Sequence, residues 1–277
     1  MIMHGRHILS LLAIYCLIFI SSCGPGEPKN PYDPLNPNYQ KPFATIISGP
    51  QDDETLDQSS TLFAWEGNNE ACYYSYKIAY ASQFNTVSWS EWTSATSVIL
   101  SELDEESYLF AVKARYPSGD EQPTPSTRQF IVNAYREPSL LIKPCSTTTS
   151  LYQQFTVEVT AEEMTNLMAA KIVLLFTQDI LEIVPNGIVQ GDFLIKNGGE
   201  VVFFDSVINS QGRMEIDLGI AEGDSTGVSG NGTLAKIIFR SKIQGTGHID
   251  FDSFDLRDVN NQIIEATRLR NGKAIIE

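Results

Sequence analysis

Positive charge, histidine and cysteine are all scarce in this chain. Its 277 residues hold 19 Lys and Arg against 34 Asp and Glu, a net charge of −15 at pH 7. So acidic a chain has no electrostatic footprint for nucleic acid and is repelled by anionic lipid headgroups. Of its 3 histidines, two precede the apolar leader and only His248 lies beyond it, so imidazole-based metal chemistry is poorly supplied. Long hydrophobic runs are missing too. The best, Ile8 to Ile20, is broken only by Ser10 and falls short of the roughly 20 residues that a helix needs to cross a ~30 Å hydrocarbon core. No amphipathic stretch is long enough to argue for a helical domain.

That short run, behind Arg6, has the length of a signal-peptide core followed by small residues. It ends in Ile20-Ser21-Ser22-Cys23, which resembles the bacterial lipobox. The resemblance implies a leader over 1–22, cleavage before Cys23 and a diacylglycerol thioether on its sulfur. Gly24 after that cysteine resembles the sorting pattern of Gram-negative outer-membrane lipoproteins, so the expected location is the cell envelope, facing the periplasm or the cell surface. Cleavage removes a single charge, Arg6, and leaves the remainder even more acidic. Anchoring then falls to acyl chains, each buried CH₂ contributing about 0.8 kcal/mol. Of the 4 cysteines, Cys72 and Cys145 would remain, in different domains. They are two separate thiols or, in an oxidising compartment, one disulfide.

Residues 23–42 carry Pro25, Pro28, Pro31, Pro34 and Pro37 at intervals of three. Polyproline II has three residues per turn, so the spacing predicts an extended stalk of up to ~60 Å at about 3.1 Å per residue. From Phe43 the pattern turns to period two. Tyr74, Tyr76, Ile78 and Tyr80 alternate with polar or small residues, and Tyr108, Phe110, Val112 and Ala114 do the same, which predicts half-buried strands. Trp65, the Leu103…Tyr108-Leu109-Phe110 segment and Trp89-Ser90-Glu91-Trp92 resemble a fibronectin type III or related Ig-like sandwich over 43–135. The Leu103-to-Tyr108 spacing is one residue shorter than the usual tyrosine corner, which leaves that hydrogen bond open. Trp89 and Trp92 invite a sugar-stacking reading, but a separation of three places them on opposite faces of a strand.

After a linker at 136–138 a second β series runs over 139–277, with a turn of helix expected near Glu162 to Leu167. Gln154 to Val159, Ala169 to Phe176 with its return Ile180 to Val184, the glycine-rich Gly227-Val228-Ser229-Gly230-Asn231-Gly232 leading into Leu234 to Phe239, and Leu256 to Asn261 together resemble a cohesin domain. The resemblance implies a nine-stranded jelly roll, related in fold to carbohydrate-binding modules, that binds a dockerin through one sheet face. One departure bears on the partner: the polar Asn and Asp recognition pair of the type I family aligns with Ala169 and Lys171.

The expected fold is therefore all-β, two tandem sandwiches after a signal peptide and a Pro-rich stalk. Lys171, Val173 and Leu175 are the candidate partner-binding residues. No nucleophile with a base and no carboxylate pair stands out, so a non-catalytic binding protein is expected. Its partner would be a dockerin-type protein or, alternatively, a polysaccharide; a structural envelope role without soluble ligand is the remaining alternative. No cofactor is expected. The one candidate ion is Ca²⁺, which takes about six to eight oxygens, at Asp250, Asp252, Asp255 and Asp258. A solvated strand face and hairpin turn explain the same four residues.

Overall fold

The computed structural model describes residues 30–68, 72–222 and 226–277. The leader, Cys23 and the first part of the expected stalk lie outside the described residues. What is described is all-β.

The first unit holds β1 (Ala44–Ser48), β2 (Glu54–Leu56), β3 (Thr61–Gly67), β4 (Tyr73–Tyr80), β5 (Ser97–Leu100), β6 (Ser107–Arg115) and β7 (Ser126–Val132). Strands β1, β3 and β5 form one sheet, and β2, β7, β6 and β4 the other, in that order. The inward residues of β3 and β6 meet between them. Phe63 stacks on Phe110 at 3.9 Å between ring centroids, and Trp65 and Phe130 complete a core with Tyr74, Tyr108 and Val112. Burying a side chain of this size stabilises by about 1.5–3 kcal/mol. The tyrosine corner forms despite its short spacing: the Tyr108 hydroxyl accepts the Asp104 backbone N–H at 2.8 Å.

Asn30 to Tyr39 is not an extended polyproline stalk. Backbone bonds join Asp33 to Asn30, Asn36 to Asp33 and Tyr39 to Asn36 at 3.1, 2.8 and 2.9 Å, whereas polyproline II has no internal hydrogen bonds. The cause lies in the residues before the prolines. Asn30, Asp33 and Asn36 each fold a side-chain oxygen onto the N–H two residues on, at 3.0, 2.9 and 2.8 Å, and Asx-Pro pairs initiate turns. The coil is pinned to the sandwich by Tyr32 and Tyr39, whose rings lie 4.9 and 6.3 Å from that of Tyr116.

The second unit holds β8 (Ser139–Lys143), β9 (Ser146–Thr149), β10 (Gln154–Phe176), β11 (Leu181–Gln190), β12 (Glu200–Ile208), β13 (Arg213–Glu222), β14 (Val228–Ser241), β15 (Gly245–Asp258), β16 (Arg268–Arg270) and β17 (Gly272–Ile276). The long β10 belongs to both layers. Its amino half pairs with β14 and β8, its carboxyl half with β13 and β15. Val157, Val159, Ile172, Leu174, Ile216, Leu218, Ile237 and Phe239 fill the space between.

The helical turn expected at Glu162 to Leu167 is instead an irregular crossing from one layer to the other. Glu163 and Asn166 have φ of 52° and 53°, and the pairing register with β14 shifts on either side of Met164. Their amides are satisfied across the sheet by Asn231 Oδ1 at 2.8 Å and Ser229 Oγ at 2.9 Å, not along a helix. Gly227 is required opposite this crossing: its φ is 72°, and a Cβ there would meet the Asn166 carbonyl oxygen at 2.4 Å.

The two units touch through the 102–107 segment of the first. Asp104 accepts the Cys145 N–H at 3.1 Å and the Tyr80 hydroxyl at 2.5 Å. Arg270 donates to the carbonyls of Leu103 and Glu102, both at 2.8 Å. Cys72 sits in the first core and Cys145 at this junction, as separate thiols. Burial pushes the Cys145 thiol up to about 11, Asp104 adding to the rise and Arg270 opposing it.

Candidate binding face

Strands β12, β13, the carboxyl half of β10 and β15 lie side by side. Their inward residues fill the second core, so the alternate positions form one outer face. On β10 these are Lys171, Val173 and Leu175, opposite Asp217, Glu215 and Arg213 of β13. The next strand outward, β12, supplies Val202, Phe204, Ser206 and Ile208, paired with Gly219, Asp217, Glu215 and Arg213.

The three residues expected on one side of β10 do share this face, in different states. Lys171 is exposed and pairs with Glu215 at 2.6 Å, and Arg213 reaches the same carboxylate at 3.0 Å. Hydrogen bonds from these two cations hold the Glu215 carboxyl below the usual carboxylate range, and the Glu215 bond holds Lys171 above the usual amine range. Leu175 is exposed. Val173 is only 3% exposed yet lies outside the second core, at the middle of the outer face. It is the floor of the face, not a contact residue, and lies beside Lys171 and the β15 residues Ser253, Phe254 and Asp255.

Phe204 was not apparent from periodicity. It is 66% exposed, with Val202 and Ile208 beside it, also exposed. Val201-Val202-Phe203-Phe204 is apolar on both faces and reads as a fully buried strand. Val201 and Phe203 do pack on the core, but β12 pairs only with β13 and nothing covers its other side among the described residues. An apolar stripe on an edge strand is the signal that could have flagged it.

The four candidate calcium ligands do not converge. Asp255 is held by the Arg257 guanidinium at 2.5 and 2.8 Å. Asp258 caps the following turn, accepting the Asn260 and Gln262 N–H groups at 2.8 and 2.7 Å. A register shift between Phe251 and Ser253 leaves Asp252 without a β10 partner, out of step with Asp250. Among the described residues, no three His, Cys, Asp or Glu side chains are gathered as a metal would need.

The tryptophan pair also departs from expectation. Residues 88–92 are not a strand, so the opposite-face argument does not apply. Both rings face one cation: Lys113 Nζ lies 4.9 Å from the Trp89 centroid and 5.0 Å from that of Trp92. Lys77 and Arg115 extend the stack at 5.3 and 4.3 Å. Side-chain cations lie over both rings, each contact contributing about 0.5–1 kcal/mol.

No protein-family model matches the chain, and no curated protein matches it. Among solved structures it is similar to the non-cellulosomal cohesin of the hyperthermophilic archaeon Archaeoglobus fulgidus, at 17% identity and TM-score 0.42, over 51% of this chain and 91% of that one. It is similar to the Coh-OlpA cohesin of Clostridium thermocellum, solved in complex with Doc918, at 14% identity and TM-score 0.42, over 51% of this chain and 99% of that one. A type II cohesin domain from the cellulosome of Acetivibrio cellulolyticus is similar at 15% identity and TM-score 0.42, over 50% of this chain and 95% of that one.

Proposed function

We propose that this chain is a lipid-anchored, non-catalytic binding protein of the cell envelope. Its second unit recognises a dockerin-type partner, in an assembly linked to polysaccharide breakdown. One observation carries the reading: the outer face of β12, β13, β10 and β15 is open and presents Phe204, Val202, Ile208 and Leu175 around an ion-paired centre. On the opposite layer, the outer side of β8 and the amino half of β10 meets the first unit, and Leu141, Thr160 and Glu162 are buried there. That leaves the β12, β13, β10 and β15 face open to a partner, while on the opposite layer only the β14 and β11 side stays exposed. The cohesin resemblance of the sequence supports the partner class. Lys171, where the type I family has a polar recognition residue, speaks for a divergent dockerin.

The test is capture from the secreted and envelope fractions of the source organism, using the chain without residues 1–22, with and without a calcium chelator. Capture of a protein with paired calcium loops, lost on chelation, is the expected result. Capture of polysaccharide that survives chelation would overturn the dockerin reading in favour of direct glycan binding. An empty bead in both conditions would leave a structural envelope role.

A further inference from the structure

Glu162 is buried at the junction. Its residue is 5% exposed, and its carboxyl is not sealed in: it opens on the cavity between the units. It lines a cavity of about 400 Å³ between the two units, together with Glu105, Glu106, Lys143, Glu158 and Thr233. The carboxylates of Glu105, Glu106 and Glu158 are engaged elsewhere. Glu105 accepts the backbone N–H groups of Ala134 and Tyr135 at 3.0 and 3.5 Å. Glu106 pairs with Lys143 at 2.5 Å. Glu158 pairs with Lys236 at 2.8 Å and accepts the Thr233 hydroxyl at 2.7 Å. Glu163 follows in the chain and is exposed. A mostly buried carboxylate that shares a cavity with three other carboxylates and a single lysine is costly as an anion and much less so as a neutral acid. A metal is not the natural occupant, since no three ligating side chains gather here. A proton is.

We propose that the junction is a proton-operated clamp: neutral Glu162 keeps the 102–107 segment seated on β8 and β10, and ionisation of Glu162 eases the two units apart. The groups facing it are Glu105 and Glu106 from the first unit, Lys143 from β8, and Glu158 and Glu163 from β10 itself. Burial pushes the Glu162 carboxyl up to about 7; Lys143 opposes the rise, and Glu105, Glu163 and Glu106 add to it. The sign follows from linkage. An opened junction hydrates the carboxyl and returns it toward its ordinary 4.5, so the closed form binds the proton more tightly. Closure is fully favoured below that ordinary value, and the advantage is lost as pH rises through about 7. A difference of two to three pKa units corresponds to roughly a hundredfold or more in the closed-to-open ratio.

Hydrogen exchange of the chain without residues 1–22 tests the clamp at the Cys145 amide, whose bond to Asp104 crosses the junction. After correction for intrinsic exchange, protection should fall by more than roughly tenfold between pH 5.5 and 8. In Glu162→Gln it should stay high and flat. Equal pH profiles in the two proteins would overturn the proposal. Should the variant not fold, carbon-13 NMR of the wild-type Glu162 carboxyl decides: a midpoint above about 6 supports the clamp and one below it overturns it.

Discussion

Arg270 of the second unit and Asp104 of the first face each other at 3.3 Å, their side chains 10% and 7% exposed. The pair joins two cores that share no strand. Asp104 also fixes Tyr80, Cys145 and, through its own N–H, Tyr108. Burial raises the Tyr80 and Tyr108 phenols far above their ordinary range, with Asp104 adding to both. Burial works against the Arg270 charge, but Asp104, Cys145 and Tyr135 together outweigh it and the guanidinium is held above its ordinary value. Removing one member strands the other in a dry site.

Arg270→Met should therefore destabilise the chain by about 3 kcal/mol, because a buried charge loses its counterion. Adding Asp104→Asn should recover part of that loss. A double-mutant cycle by urea denaturation checks it: strictly additive single effects would mean that the two side chains do not couple.

Phe204→Ser should leave stability within about 0.5 kcal/mol of wild type, since the ring is exposed. Partner capture should fall by tenfold or more, the expected loss for a central aromatic anchor. Unchanged capture would move the binding surface off this face.

Trp92→Ala removes the ring that Lys113 and Arg115 share. A loss of about 1–2 kcal/mol is expected from two cation–π contacts, together with faster exchange of the Tyr74 amide, which bonds to the Thr93 carbonyl at 2.7 Å. Thermal denaturation with amide exchange would show both, or neither.

Cys23→Ser should abolish incorporation of radiolabelled fatty acid and release the chain from the membrane fraction. Persistence of the label would place the lipid elsewhere.

Most strands were legible because alternation survives wherever one face is buried. The fourteen positions from Tyr74 through Tyr80 and from Tyr108 through Ala114 read in period two because Phe63 and Trp65 wait on the inner side. Three features were illegible for distinct reasons. Period two marks Lys171, Val173 and Leu175 as one side of β10 but not which side meets solvent, nor that Val173 would be buried while Lys171 and Leu175 stay exposed. Glu162 to Leu167 has helical composition, yet its amides are taken by Ser229 and Asn231, far away in sequence. Proline spacing alone suggested an extended rod, while the Asn or Asp before Pro31, Pro34 and Pro37 dictated turns.

That last point reshapes how far this protein reaches. With the lipid on Cys23, as proposed, covalent geometry puts Asn30 no more than ~25 Å from the anchor. The first sandwich is then moored close to the headgroups. Its acidic surface is repelled by any anionic lipid beneath it. The whole job of standing the open β12 face clear of the bilayer passes to the folded length of the first sandwich and to the angle at which Arg270 and Asp104 hold the second.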